Sequence, residues 1–207
     1  MIVLMDHVLV VTILAFLGLC MGSFAGATVW RLRARQLVED KTADQGFDKD
    51  EYEQLLPLTK HKGTKDRSQC LSCGHQLAWY DLLPLISWIS TRGTCRYCHK
   101  RIGMFEPLIE LGVAAFFVVS YLFWPQPLMT PLEIVQFGLW LVAGVMLAIL
   151  FAYDLKWFLL PDRITFPLIA VATFYAVCGV LLSTNNTSTA LLSLVGALSI
   201  LRGIYLV

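Results

Sequence analysis

The chain alternates between long apolar runs and one long polar stretch. The first run extends from about His7 to Trp30 without an Asp, Glu, Lys or Arg. At about 1.5 Å per helical residue it is long enough to cross a hydrocarbon core of roughly 30 Å. Further runs cover about Met104 to Trp124, Pro131 to Tyr153 and Ile164 to Ser183, and a fifth begins near Thr189 and continues to Val207. Between the first and second spans, Gln36 to Asp66 is polar, acidic first and basic afterwards, and reads as a solvated linker or small insert. The pattern predicts an all-α polytopic membrane protein of about five transmembrane helices with a long loop between the first two. Three regions follow: residues 1–30 as the first helix, 31–103 as the loop, and 104–207 as the remaining helices. Gly18, Gly22 and Gly26, with Ser23 and Ala27 beside them, form a small-residue stripe that lets another helix approach closely.

Composition agrees with a bilayer as solvent: 57% of residues are hydrophobic, 15% are charged, and mean hydropathy is +0.66. Charge then fixes the expected topology. Of the 16 Lys and Arg residues, 13 lie between Arg31 and Arg101, and Lys156 and Arg163 flank the turn between the third and fourth spans. By the positive-inside rule the 31–103 loop and the 154–163 turn are both cytoplasmic and the N-terminus is outside. Absence of Lys and Arg before the first span, with Arg31, Arg33 and Arg35 directly after it, argues against a cleaved signal peptide. The net charge of +1 gives no reason to expect a nucleic-acid partner.

The loop carries Cys70-Leu-Ser-Cys73 and Cys95-Arg-Tyr-Cys98, two Cys-x-x-Cys pairs separated by 21 residues. Each pair can form a tight knuckle, and four thiolates suit tetrahedral zinc at about 2.3 Å. Such a site has no open coordination position, so zinc would be structural and would hold together a loop poor in core. Reduced or redox-active thiols without metal are the rival reading. Cys20 and Cys178 sit in apolar runs and read as small buried hydrophobes. Asp48 and Asp50 have the spacing of calcium ligands, but the glycine and terminal glutamate of a calcium loop are out of register.

Between the pairs, Trp79-Tyr-Asp-Leu-Leu-Pro-Leu-Ile-Ser-Trp88 is apolar and aromatic for a loop, and is expected to rest against the membrane. Asp81 within it reads as a turn or cap residue. Glu106 and Glu110 flank Pro107 at the start of the second span, where a carboxylate is costly without a task or a partner; Glu110 is the better functional candidate. Asp154, at the end of the third span, has no ready structural role, whereas Asp162, after Pro161, reads as an N-cap. Aspartyl hydrolysis needs two carboxylates sharing a water, one ionised and one protonated. The four histidines show no recognisable pairing with a serine or cysteine nucleophile.

Taken together, Gly22-Ser-Phe24 and Arg31-Leu32, Arg67-Ser68 before the first cysteine pair, Tyr80-Asp81 through Pro84 and Ser87-Trp88, Arg92-Gly93 before the second pair, Pro107 to Glu110, and Asp154 through Leu160-Pro161-Asp162 resemble the type IV prepilin peptidases. The resemblance implies a bifunctional enzyme of the bacterial cytoplasmic (inner) membrane. Such an enzyme cuts the leader from type IV prepilins or type II secretion pseudopilins, then N-methylates the new terminus with S-adenosylmethionine. It implies Asp154 as the first catalytic aspartate, Asp162 in an adjoining motif position and pilin substrates as partners; the residues themselves offer Asp162 and Glu110 as accessory candidates, Cys70, Cys73, Cys95 and Cys98 as metal ligands, and membrane lipid as a further partner. The family's second catalytic aspartate stands in a later Gly-x-Gly-Asp, and here no aspartate follows Asp162. The expectation is a C-terminally incomplete peptidase; a non-catalytic membrane adaptor and a methyltransferase-only relative are the alternatives.

Overall fold

The computed structural model describes residues 2–44, 46–59, 68–125 and 127–182, with side chains from residue 7 onward. It is all-helical: among the described residues there is no strand, only isolated bridges pairing Gln69 with Gln76 and Thr94 with Arg101. Among the described residues, four helices are long and apolar enough to cross a membrane. They are α1 (Ile2–Thr42), α4 (Phe105–Leu122), α5 (Pro131–Trp157) and α6 (Asp162–Leu182); the short α2 (Lys49–Leu55) and α3 (Ile86–Ser90) lie in the loop. The expected fifth span falls outside the described residues. Two compact units divide the chain, Met1–Phe116 and Phe117–Val207.

In the first unit, α1 runs for 41 residues, well past Trp30. Residues 31–42 contain no Gly or Pro and are rich in Arg, Leu, Ala, Gln, Glu and Lys, which all favour helix. Trp30, Ala34 and Leu37 fall on one face at helical spacing. That face meets Leu55 of α2, with Phe47, Tyr52, Leu58 and Leu71 packed around the buried Ala34, Leu37 and Leu55. Arg33 on α1 donates to the Glu51 carboxylate, its Nε at 3.0 Å. The expected solvated linker is therefore corrected over its first part: Gln36–Thr42 continues the helix, and residues 47–59 fold back on it as a small core. Asp48 caps α2 by accepting from the amides of Asp50 and Glu51 at 2.9 and 3.2 Å, which uses it as a helix cap.

The glycine stripe does what its spacing predicts at two of its three positions. A Cβ at Gly18 would stand 2.6 Å from the Ala114 Cα, and one at Gly22 would stand 2.5 Å from the Glu110 Cα. Both distances are too short for any side chain, so α1 and α4 cross backbone to backbone there. Gly26 faces open space.

In the second unit, α5 starts on a capping box. The Thr130 hydroxyl accepts from the Glu133 amide and the Glu133 carboxylate accepts from the Thr130 amide, with Pro131 in the first turn. It ends where Phe158 turns left-handed (φ 53°), donating its amide to the Asp154 carbonyl. A short turn then leads into α6, which packs along α5. Trp140 of α5 lies 6.0 Å from Tyr175 of α6 between ring centroids and donates its indole N–H to the Ser120 hydroxyl.

Candidate metal centre and carboxylate sites

Each cysteine pair builds the same local turn. The Cys70 amide donates to the His75 carbonyl and the Gly74 amide returns to the Cys70 carbonyl. In the second pair, Cys95 donates to Lys100 and His99 returns to Cys95, all four bonds being 2.8–2.9 Å. The residue after the second cysteine must adopt positive φ to close the knuckle, and Gly74 (φ 69°) and His99 (φ 57°) do so. Glycine does this at no steric cost; histidine does not. The two knuckles bring all four sulfurs within 4.8 Å of one another, with Cys70 and Cys98 at 3.9 Å. Thiolates about 2.3 Å from one tetrahedral ion stand roughly 3.8 Å apart. The cluster fits a metal ion, and the expected ligand set converges as a unit.

The thiols are electrostatically unequal. Burial pushes the Cys70 thiol up, to about 11, against the Ser72 and Cys73 amides. Burial also opposes ionisation of Cys95, but there the amides of Cys98 and Tyr97 and the neighbouring thiols prevail and bring it down to about 7. Ring stacking of His75 on Tyr97, 3.7 Å between centroids, ties one knuckle to the other.

Asp81 joins the second knuckle to the aromatic segment. One carboxylate oxygen accepts from Arg96 Nε at 3.0 Å; the other accepts from the Tyr97 hydroxyl at 3.0 Å and from the Ala78 amide at 3.2 Å. Burial works against its charge, yet the Arg96, Tyr97 and Ala78 bonds hold it below the usual carboxylate range. The expected turn role is present in the Ala78 bond, while the bonds to Arg96 and Tyr97 span 15 and 16 residues and leave no local signal in the sequence. Nearby, Gly93 (φ 70°) lies against the face of Trp88, where a Cβ would come 2.9 Å from the ring.

Glu110 finds its partner in the same segment. Only 7% exposed, it accepts from the Leu85 amide at 2.8 Å, and Ser23 of α1 also hydrogen-bonds to it. Leu85 is held at φ 57°, ψ −42°, at the centre of a γ-turn closed by the Ile86 amide and the Pro84 carbonyl. A leucine there stores about 1–3 kcal/mol of backbone strain. Glu106, one turn earlier, accepts from the Trp30 indole at 3.1 Å.

Asp154 lies in the last turn of α5, exposed, beside the fully buried Tyr153. Asp162 is exposed too and is the first residue of α6. Its expected place as N-cap shifts by one position: the Pro161 carbonyl accepts from the Ile164 and Thr165 amides, leaving Asp162 in the first turn, where its charge complements the helix dipole. Both carboxylates therefore flank one short turn at one end of the α5–α6 pair.

Residues 16–124 match the model of the bacterial peptidase A24 N-terminal domain. Over 172 residues the chain is 27% identical to a prepilin leader peptidase/N-methyltransferase of Vibrio cholerae serotype O1, covering 83% of this chain and 58% of the relative. It is 29% identical to one from Pectobacterium carotovorum (84% and 58% covered) and 34% identical to one from Burkholderia pseudomallei strain 1026b (74% and 47% covered). The chain thus spans about half the length of these relatives. No solved structure matches it.

Proposed function

Because the chain belongs to the prepilin leader peptidase family, carrying that family's A24 N-terminal domain, we propose that it acts in the processing of type IV prepilins or type II secretion pseudopilins. Leader cleavage would be followed by methylation of the new N-terminus from S-adenosylmethionine. The carrying observation is an exposed carboxylate, Asp154, in the last turn of an apolar spanning helix. There a leader lying along the membrane face can be reached by an activated water. In this reading Asp154 is one of two catalytic carboxylates. Asp162, in the first turn of α6, is an accessory group rather than its partner, which the family resemblance assigns to a Gly-x-Gly-Asp motif.

Cys70, Cys73, Cys95 and Cys98 hold structural zinc in this proposal. The 31–103 loop and the α5–α6 turn face the cytoplasm of an inner-membrane protein, as the distribution of Lys and Arg supports. When bound, zinc fixes the loop. The protein's own groups do the rest: Asp81 orients the second knuckle, and Glu110 fixes the aromatic segment against α4.

The test begins with the reading frame beyond the Val207 codon. A frame continuing into Gly-x-Gly-Asp is expected to yield a full-length chain that removes a prepilin leader in proteoliposomes, with cleavage lost in Asp154→Ala. Leader cleavage by residues 1–207 alone, abolished by Asp154→Ala, would overturn the assignment of the second carboxylate. A stop codon after Val207, together with methyl transfer to a pre-cleaved pilin peptide, would establish a methyltransferase; leader binding with neither reaction would establish an adaptor.

A further inference from the structure

The segment from Trp79 to Ser90 turns Leu83, Pro84, Leu85 and Trp88 inward or partly inward and presents its other large apolar side chains outward. Trp79 is 75% exposed, Ile86 60% and Ile89 65%, and Leu82 is exposed as well. A helix of five residues such as α3 does not hold itself together in water. Its placement explains the exposure. The Leu85 amide is bonded to Glu110, which lies five residues, about 7.5 Å, along α4 from Phe105. Side chains on a helix lean toward its N-terminus, so the Glu110 carboxylate, and Leu85 with it, sits level with the first turns of α4.

At that level α4 exposes apolar chains of its own. Met104 immediately precedes the helix and Leu108 lies in its first turn, both more than half exposed, and α4 has the length and composition to span a bilayer. The exposed face of the loop segment therefore continues, at the same height, a surface already suited to lipid. The exposed Arg92, Lys100 and Arg101 beside it suit an anionic headgroup layer.

We infer that Trp79–Ser90 is an in-plane membrane anchor. Its apolar chains enter the boundary between headgroups and acyl chains of the leaflet at which α4 begins, and Glu110 is the positioning residue that fixes its depth. Amphipathic segments bind in this way when one face is apolar and aromatic. Strain at Leu85 follows, because the turn that points Ile86 and Ile89 outward also aims the Leu85 amide at the carboxylate. Through Asp81 the anchor sets the second cysteine knuckle at a constant height over the bilayer, where a membrane-bound chain end would be presented to the loop.

The metal-loaded full chain is reconstituted in phosphatidylcholine and phosphatidylglycerol vesicles, with and without bromine on the acyl chains near the headgroup. Emission from Trp79, taken as the difference between the native chain and Trp79→Phe, is expected to be quenched by bromolipid and several-fold less by aqueous acrylamide. Ile89→Trp in the Trp79→Phe chain should behave alike, while Gln76→Trp on the exposed first knuckle should show the reverse. Glu110→Ala is expected to reduce bromolipid quenching at position 79 at least twofold, and Glu110→Gln, which keeps an acceptor, to restore it. Should Glu110→Ala fail to fold, the native and Gln76→Trp chains decide the question alone. Positions 79 and 89 as accessible to acrylamide as position 76, and untouched by bromolipid, would overturn the anchor. None of these readings depends on leader cleavage.

Discussion

The two cysteine knuckles have the same hydrogen bonds and each contributes two sulfurs to one cluster that could hold a metal ion, yet they are attached to different neighbours. The first hangs on the hydrophobic core of α1 and α2: Leu71 packs there, and its carbonyl accepts from the Gln54 side chain at 3.3 Å. The second is held by polar bonds to the aromatic segment through Asp81. One knuckle is thus anchored by burial of apolar surface and the other by a charged network. His75–Tyr97 stacking joins them directly, a metal ion held by the four sulfurs would bind them further, and the difference predicts how each responds when something is removed.

Removal of metal is the largest perturbation, since structural zinc contributes about 10–16 kcal/mol to folding in small peptide sites near neutral pH. Chelation is expected to lower amide protection in both knuckles and to abolish it in the second. The first should keep residual protection at Leu71 because the α1–α2 core survives, and hydrogen exchange read separately for residues 68–77 and 93–102 checks this. Equal loss in both would show that the α1 core does not reach the loop.

Next in size is Asp81→Ala. It leaves Arg96 and the Tyr97 hydroxyl without this acceptor, and a broken charged hydrogen-bond pair costs about 1.5–3 kcal/mol. Metal affinity, measured by competition with a chromophoric chelator, should fall roughly tenfold or more. Leu71→Ala on the other side should lower stability but change metal affinity less, because it removes packing rather than orientation. Reversal of that order would remove the distinction between the two anchors.

Unequal thiols give the third expectation. With Cys70 near 11 and Cys98 also raised, both are protonated at pH 8 and must release protons to bind metal, whereas Cys95, near 7, is already largely ionised. Affinity should rise with pH, and more steeply below about pH 7 than above it. The slope should drop by nearly one proton, which is about 1.4 kcal/mol per pH unit. Zinc titrations at pH 6.5 and pH 8 in buffers of different ionisation enthalpy report the proton count; an unchanged count would place Cys95 with the others.

Smallest is the effect of the residue that closes each knuckle. Gly74→Ala should cost about 1 kcal/mol for its positive φ, and His99→Gly should relieve strain of similar size, seen as opposite shifts in the temperature at which metal is released. Shifts of the same sign would mean that His99 contributes contacts worth more than its strain.

Much of this arrangement is legible in the residues themselves. Spans two to four lie within a few residues of α4, α5 and α6, because long apolar runs ending at Pro, Gly and charged positions are local signals. Cys-x-x-Cys spacing is equally local, and so the four converging sulfurs are legible in it. Residues 31–59 carry no such local signal. Their charged residues match a solvated linker, and only the partners of Trp30, Ala34 and Leu37 reveal a buried face.

By itself, then, the sequence determined the spanning segments of α4, α5 and α6, the glycine contacts at Gly18 and Gly22, the cysteine spacing that gathers four sulfurs, and the resemblance that the A24 domain match bears out. Tertiary structure decided what the buried carboxylates do. That Glu110 grips Leu85 across 25 residues, and that Asp81 reaches Arg96 and Tyr97, follows from where the chain returns in space. The physical reason is range: periodicity and knuckle spacing are set within a few residues by backbone geometry, whereas a buried charge takes whichever donor the folded chain brings to it.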